Sequence, residues 1–204
     1  SKGGPPVRQT ASLPEIIEDS TSFALRGSNV RCEFDMAPEL HTVEVDQGQI
    51  SQVINNLIIN AVQAMPAGGI VRVQAENVTL NADSNIALPF GDYARITVQD
   101  QGKGIAPDDI NHIFDPYFTT KEKGTGLGLA TSYSIVKHHD GVISVDSDPA
   151  TGTAFHIYLP ASGKEVTRNE TVPDEPLDGH GRILVMDDEE IIRELAITSL
   201  EFLG

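Results

Sequence analysis

The sequence predicts an α/β domain, and three observations lead to that prediction. Segments of alternating apolar and polar residues, typical of strands with one buried face, recur along the chain. Between them lie segments with the periodicity of amphipathic helices. The longest of these helical segments, residues 49–65, carries no charged residue. That composition is typical of a helix buried inside a domain, since a surface helix carries charge on its outer side.

The predicted elements follow one another in a regular order. The first helix, 13–25, has Pro14 in its first turn with acids after it, as helix starts prefer. The central helix can be capped by Asp46 and is stopped by the Pro-Ala-Gly-Gly sequence at 66–69. Strands are predicted at Val30–Met36, Thr42–Val45, 70–80, 93–99, 142–145 and 153–159, the last two as a hairpin, and further helices at 107–114 and 129–139.

The chain divides into four parts. Residues 1–12 are predicted to be a flexible lead whose first residues are typical of a cloning remnant, and 13–160 form the main domain. Residues 161–181 have no hydrophobic period, two prolines and many charges, which indicates a linker. From 182 to 204 a buried-type strand, an acidic turn and an amphipathic helix begin a second α/β domain. Because that fragment cannot bury a core of its own, we expect it to pack on the main domain or to drive association.

Composition limits the classes of function. The 204 residues carry a net charge of −16, which argues against a nucleic-acid surface and against docking on anionic membrane. A nucleotide site remains compatible with this charge, because helix N-termini and a few lysines can hold phosphate. Cys32 is the single cysteine, so no disulfide framework is expected. With no apolar run of membrane-spanning length and no signal peptide, a cytoplasmic location is predicted.

Amide side chains form a strip along the central helix. At 100° per residue, the five amides fall within an arc of roughly 80°, and Ile59 is the one apolar residue on that side. The strip either faces a specific ligand or satisfies neighbouring backbone groups, and the helix alone does not decide between these two interpretations. We call this set the amide strip; its members are Gln49, Gln52, Asn56, Asn60 and Gln63.

Three later segments carry glycine or lysine in patterns of interest. The hexapeptide DQGKGI at 100–105 places a carboxylate at a strand end, where it can accept from an exocyclic amine, and two glycines allow close backbone approach. An acidic turn is the alternative. The segment FDPYFTTKEK at 114–123 has aromatic anchors, threonines and lysines that can reach phosphate, or it is an ordinary surface loop. The segment GTGLGLA at 124–130 starts a helix, where free N–H groups favour an anion, although it is not a Walker loop.

Taken together and in this order, the four segments resemble the N box, first glycine box, F box and second glycine box of the sensor histidine kinase ATP-binding catalytic domain. That domain shares a superfamily with DNA gyrase, heat-shock ATPase chaperones and MutL repair proteins. The resemblance covers about residues 13–160, and Gln-Ala-Met-Pro followed by Gly-Gly is similar to the nitrogen-regulatory type. It implies a two-layer α/β sandwich of the Bergerat type, with a mixed sheet, helices on one face, and ATP under a mobile lid.

The resemblance also implies roles for individual residues. Asn60 would coordinate Mg²⁺, Asn56 would assist on the phosphate side, and Asp100 would take the adenine amine. Residues 115–125 would form the lid, with Lys121 and Lys123 as candidate γ-phosphate contacts. The base pocket would include Gly102, Gly104, Ile105 and Thr153, and the phosphate side would include Thr119, Thr120, Thr125, Gly126, Leu127, Gly128 and Leu129.

Two further features qualify the resemblance. Many family members carry a basic residue where Gln63 stands, so the lid lysines are expected to supply the positive charge alone. The tail, RILVMDDEEIIRE, resembles the start of a response-regulator receiver domain, in which Asp187 and Asp188 would help to bind Mg²⁺. The site would be incomplete, because the phosphate-accepting aspartate belongs on a later strand. The parent protein would then be a hybrid kinase.

The predicted function is transfer of the γ-phosphoryl group of ATP to a histidine. No histidine of the chain is followed by an acid and then Asn or Thr, so the acceptor is expected in an upstream dimerisation domain, with a receiver or response regulator as a further partner. An ATP hydrolase is disfavoured because the central helix has no carboxylate to act as general base. A serine kinase of the anti-sigma type is disfavoured by the receiver-like tail. The remaining alternative is a degenerate nucleotide-binding or scaffold module.

Overall fold

The computed structural model describes residues 7–82, 84, 86–121, 124–149 and 151–164. Within these residues, seven strands form one sheet and three helices pack on it. The helices are α1 Leu13–Ala24, α2 Gln47–Ala64 and α3 Gly128–Lys137. The strands are β1 Gln9–Ala11, β2 Val30–Met36, β3 Thr42–Val45, β4 Gly69–Leu80, β5 Gly91–Gln99, β6 Val142–Asp148 and β7 Gly152–Ser162.

The sheet is mixed, as predicted. Its strand order is β1-β3-β7-β5-β4-β2, and β6 pairs with β7 as the first strand of a hairpin. Strand β2 runs parallel to β4, with Val30 opposite Gly69, and the other neighbouring pairs are antiparallel. Strand β7 therefore joins the two halves of the sheet, since it pairs with β5, β6 and the end of β3.

The core lies between the helices and one face of the sheet. Alternate residues of the central strands point into it, as a period of two requires. On the opposite face, Arg72 pairs with Glu33 at 3.3 Å and Arg95 with Glu76 at 2.6 Å. The buried side chains facing the helices include Val71, Val73, Ala75, Ala94, Ile96, Val98, Phe155, Ile157 and Leu159. The helices therefore cover one face of the sheet, as expected for the two-layer arrangement.

Three local predictions were wrong. The linker was expected to start at residue 161, but Ala161 and Ser162 belong to β7 and pair with β3. The lead at 1–12 was expected to be flexible, but Gln9–Ala11 forms β1, paired with β3 and buried at Ala11. The segment 107–114 was expected to be a helix, but it is a series of turns in which Asp109 N and Ile110 N donate to the same carbonyl, Ala106 O. An isolated helix of that length is marginal, and burial of Ile113 fixes the end of the segment instead.

Some predictions fall on residues outside those described. They are residues 165–181 of the predicted linker 161–181, and the receiver-like unit from 182 to 204 with its predicted metal ligands Asp187 and Asp188. Among the helices of the described residues, none combines the length and apolar character that a membrane crossing requires.

The central helix begins where the cap was predicted. Asp46 lies before α2 in an extended conformation, and its Oδ1 accepts from Gln49 N at 3.1 Å. Its Oδ2 accepts from Val7 N at 3.2 Å, which ties the start of the described chain to the same helix end. The helix ends at Ala64, directly before Met65 and Pro66.

Removing this cap should destabilise the domain. We expect Asp46→Ala to lower the free energy of unfolding by about 1 kcal/mol, because a helix N–H loses its acceptor. Urea unfolding followed by far-ultraviolet circular dichroism would measure the change. Asp46→Asn is the matched control, since asparagine caps helices about as well as aspartate. Equal destabilisation by both variants would mean that the cap is not the cause.

Candidate functional site

The amide strip lies at the boundary between the core and solvent. On the inner side of α2 the side chains of Ile50, Ile54 and Ile58 are at most 1% exposed. On the strip itself, Asn56 and Asn60 are half-buried. The helix is therefore buried on its apolar sides and presents amides outward.

Asn56 joins α2 to the start of α3. Its Nδ2 donates to Gly128 O at 3.0 Å and to Ser132 Oγ at 3.2 Å. Ser132 is fully buried and its hydroxyl also donates to Gly128 O, at 2.9 Å. Ser132 could not be identified from the sequence, because its role depends on which face of α3 meets α2. Asn56 thus holds the first turn of α3 in place, and its own carbonyl oxygen remains for a ligand.

Asn60 accepts a hydrogen bond from a lysine of the lid. Lys121 Nζ donates to Asn60 Oδ1 at 2.8 Å and to Gln63 Oε1 at 2.5 Å. Burial lowers the pKa of Lys121, the positive charge of Lys103 lowers it further, and the carboxylate of Asp100 opposes both effects. An amide oxygen that holds an ammonium is chemically able to hold a metal cation, so the donor atoms fit the predicted Mg²⁺.

Asp100 is a buried acceptor at the end of β5. It is 4% exposed, and its Oδ1 accepts from Gly102 N at 2.8 Å and from Thr153 N at 3.3 Å. Burial raises the pKa of Asp100, and the two backbone hydrogen bonds and the charge of Lys121 act in the opposite direction. Since both backbone donors use Oδ1, the second carboxylate oxygen remains for a ligand donor.

The glycines of the DQGKGI loop allow close packing around Asp100. A Cβ at Gly102 would lie 2.5 Å from Ala64 Cβ and 2.8 Å from Ala64 O, so the loop touches the end of α2. Gly104 has a φ of 66°, and a Cβ there would lie 2.5 Å from Asp148 O. These contacts explain why the loop needs glycine at both positions.

A serine that has no signal in the sequence fixes the far end of this loop. Ser147 Oγ accepts from Ile105 N at 2.8 Å and lies 2.9 Å from Thr153 Oγ1. Thr153 is 4% exposed and its carbonyl accepts from Asp100 N at 2.9 Å. The predicted base-pocket residues are therefore brought together, with the β6–β7 hairpin as their support.

The predicted lid is anchored by aromatic side chains at its start. The ring of Phe114 lies 5.5 Å from Tyr133 and 6.5 Å from Phe155, measured between centroids. Tyr117 is 76% exposed and has a φ of 68°, and its N–H donates to Gly126 O at 2.9 Å. The two ends of the lid are thus held together by a backbone hydrogen bond.

The threonines of the lid differ in their surroundings. Thr119 Oγ1 accepts from Lys121 N at 3.1 Å, so it shapes the turn that presents the lysine. Thr120 and Thr125 are exposed. Lys123, the other predicted phosphate contact of the lid, lies outside the described residues.

The start of α3 offers uncapped N–H groups. The helix begins at Gly128, and its N-cap residue Leu127 makes no side-chain cap hydrogen bond. A Cβ at Gly128 would lie 3.8 Å from the amide of Asn56, and Leu129 packs against the core. The phosphate-binding segment predicted at Gly126–Leu129 therefore lies beside the amide strip.

A separate cavity of about 330 Å³ contains none of the predicted site residues in its lining. It lies between the ends of β3 and β7 and the C-terminal end of α3, and its charged groups are already paired. Arg8 pairs with Asp140 at 2.7 Å, and Lys164 with Glu44 at 2.5 Å. The donors and acceptors that fit a nucleotide lie at the amide strip and the start of α3, and not in this cavity.

Comparison with known proteins gives the chain a family match and many relatives. The model of the family described as histidine kinase-, DNA gyrase B-, and HSP90-like ATPase matches residues 45–163. Sensor kinase CckA of Brucella abortus is 34% identical over 212 residues, which cover 96% of this chain and 22% of the relative. Sporulation kinase A of Bacillus subtilis is 45% identical over 159 residues, which cover 76% of this chain and 24% of the relative. The chain thus spans about a quarter of the length of these two relatives.

Two solved structures are also similar to this chain. The mycobacterial sensor histidine kinase MprB matches with a TM-score of 0.62 at 28% identity, over 76% of this chain and 98% of that one. Full-length ShkA in complex with AMPPNP matches with a TM-score of 0.63 at 23% identity, over 97% of this chain and 39% of that one. The second match is evidence for the fold alone.

Proposed function

The chain belongs to the histidine kinase-, DNA gyrase B- and HSP90-like ATPase family, as the ATP-binding catalytic domain of a sensor histidine kinase, and we propose that it transfers the γ-phosphoryl group of Mg·ATP to a histidine on a dimerisation domain. The observation that carries this proposal is the contact between the amide strip and the start of α3, made by Asn56. It places amide oxygens beside uncapped N–H groups, which is the combination that a metal-bound phosphate chain requires.

Each part of the site has a role in binding the nucleotide. The free oxygen of Asp100 accepts from the adenine amine, in a pocket shaped by Gly102, Gly104, Ile105 and Thr153. Residues 126–129 donate backbone N–H groups to the phosphates, and Thr119, Thr120 and Thr125 line the lid above them. Asn60 Oδ1 is the protein ligand of Mg²⁺, and the ion, when bound, neutralises the charge that develops on the phosphates.

The phosphate acceptor lies on another domain. His139, the described histidine with an acid directly after it, is 2% exposed, with Nδ1 bonded to Ile135 O and Nε2 accepting from Asp46 N. Neither ring nitrogen can therefore reach a nucleotide. The partner that supplies the histidine is a dimerisation domain, whose phosphoryl group then passes to a receiver domain or response regulator. We place this chemistry in the cytosol, where ATP is available.

A hybrid architecture is also part of the proposal. The tail from 182 to 204 resembles the start of a receiver domain, with Asp187 and Asp188 as prospective Mg²⁺ ligands. The match with the Brucella sensor kinase covers 96% of the chain and therefore includes most of this tail. The relative therefore carries a segment similar to most of the tail, and the assignment to a receiver domain rests on the resemblance of the tail sequence itself.

ATP hydrolysis of the gyrase or chaperone type is the weaker candidate. Helix α2 has no carboxylate, and an amide cannot accept the proton of an attacking water. Asn56 Nδ2 is moreover engaged by α3.

Calorimetric titration with AMPPNP, with Mg²⁺ and with EDTA, tests the proposed function first. Binding that Mg²⁺ strengthens, followed by transfer of labelled phosphate from ATP to a supplied histidine-containing dimerisation domain, would support a kinase. Binding without transfer to several such domains would favour the degenerate nucleotide-binding module. Failure to bind AMPPNP under either condition would leave the scaffold interpretation.

A further inference from the structure

We propose that Gln63 is a positioning residue for the phosphoryl-transfer site, which holds the lid lysine Lys121 beside the magnesium ligand Asn60. The proposal rests on the proposed function, because the lysine can act only on the phosphates of a bound nucleotide. Lys121 Nζ donates to Gln63 Oε1 at 2.5 Å and to Asn60 Oδ1 at 2.8 Å. We call Asn60 and Gln63 together the lysine dock.

The dock compensates for the absence of charge on α2. No residue from Gln47 to Ala64 is charged, so this helix offers no cation of its own to the phosphates. The lysine dock holds a cation that the lid supplies, the ammonium of Lys121. Both acceptors are neutral amides, so they hold the ammonium and leave its positive charge available. A carboxylate in the same place would neutralise that charge.

The two acceptors of the dock have different fates when nucleotide binds. Asn60 Oδ1 is the proposed Mg²⁺ ligand, and an ammonium that bonds to the same oxygen would be repelled by the ion. Gln63 lies three residues further along the same face of α2, one turn from the metal. It can therefore keep Lys121 at the site after the metal has taken Asn60.

Retaining the lysine through Gln63 requires little movement of the lid. Thr119 Oγ1 accepts from Lys121 N at 3.1 Å, and Tyr117 N donates to Gly126 O at 2.9 Å, so the backbone on both sides of the lysine is already bonded. A phosphate group bound beside the lid would attract the ammonium, which favours its movement from Asn60 toward the ligand.

Two substitutions of Gln63 with opposite effects on the lid test the proposal. Gln63→Met removes the acceptor at similar size, and Gln63→Glu replaces it with a carboxylate. Hydrogen exchange of the Lys121 amide in the nucleotide-free chain should become about tenfold faster in the first variant and slower in the second. Both variants should weaken AMPPNP binding by about tenfold, the first because the lysine is lost and the second because its charge is neutralised and a carboxylate faces the phosphates.

Controls separate positioning from a structural effect. Gln47→Met removes an exposed amide in the first turn of α2, outside the amide strip, and should change neither measurement. In a Lys121→Met background, Gln63→Met should have no further effect on AMPPNP affinity. Unchanged exchange in both Gln63 variants, or additive effects of Gln63→Met and Lys121→Met, would overturn the proposal. If the unsubstituted chain binds no AMPPNP, the proposed function fails, while the exchange measurement still decides whether the dock exists.

Discussion

Replacing Asn60 by alanine should abolish the part of nucleotide binding that depends on Mg²⁺. With the amide oxygen removed, the ion loses its protein ligand, and we expect AMPPNP affinity in Mg²⁺ to fall on the order of 100-fold. Affinity measured in EDTA should change much less, because the backbone N–H groups at the start of α3 remain. Calorimetric titration under both conditions measures the two values.

Two comparison variants make the result for Asn60 specific. Gln47→Ala removes an exposed amide at the start of α2, outside the amide strip, and should leave both affinities unchanged. Asn60→Asp restores an oxygen ligand for Mg²⁺ and should recover most of the magnesium-dependent binding. If Asn60→Ala instead weakens binding equally with and without Mg²⁺, the residue holds Lys121 but no metal.

The parts of the fold that could be predicted are those that local sequence determines. Alternation identified the strands from β2 to β7. Of these, β4, β5 and β7 bury one face, whereas the edge strand β2 buries only Val30. The absence of charge identified α2 as a buried helix. The three residues of β1 are too few to show alternation, and the strand exists because it pairs with β3. The segment 107–114 begins like a helix, yet it forms turns because its last residues are held in the core.

The candidate site also contains features that local sequence predicts and features that depend on long-range contacts. The order of the four motifs predicts that Asn56, Asp100 and the start of α3 belong to one nucleotide site, and in the structure Asn56 contacts the start of α3. The partner of Lys121 could not be predicted, because it depends on where the lid lies over α2. Ser132 and Ser147 were missed for the same reason, since a serine gives no sequence signal of the backbone group it will bind. Contacts between elements distant in sequence were therefore the unpredictable part of the site.

Asp100→Asn should change the preference of the site from a 6-amino to a 6-oxo purine. Gly102 N and Thr153 N both donate to Asp100 Oδ1, so an asparagine would keep its carbonyl oxygen there and direct its NH₂ group to the ligand. Two donors would then face each other when ATP binds. We expect the ratio of ATP to inosine triphosphate affinity to fall on the order of 100-fold.

The pH dependence of binding provides an independent check on Asp100. Its pKa is raised by burial, so the carboxylate takes up a proton at a higher pH than an ordinary aspartate does. A protonated carboxyl is a poorer acceptor for the adenine amine, and ATP affinity should therefore fall as the solution is acidified through that raised pKa. The Asp100→Asn variant has no carboxylate to protonate at this position, so it should lack this fall in ATP affinity on acidification. An unchanged purine preference together with an unchanged pH profile would mean that another group receives the adenine amine.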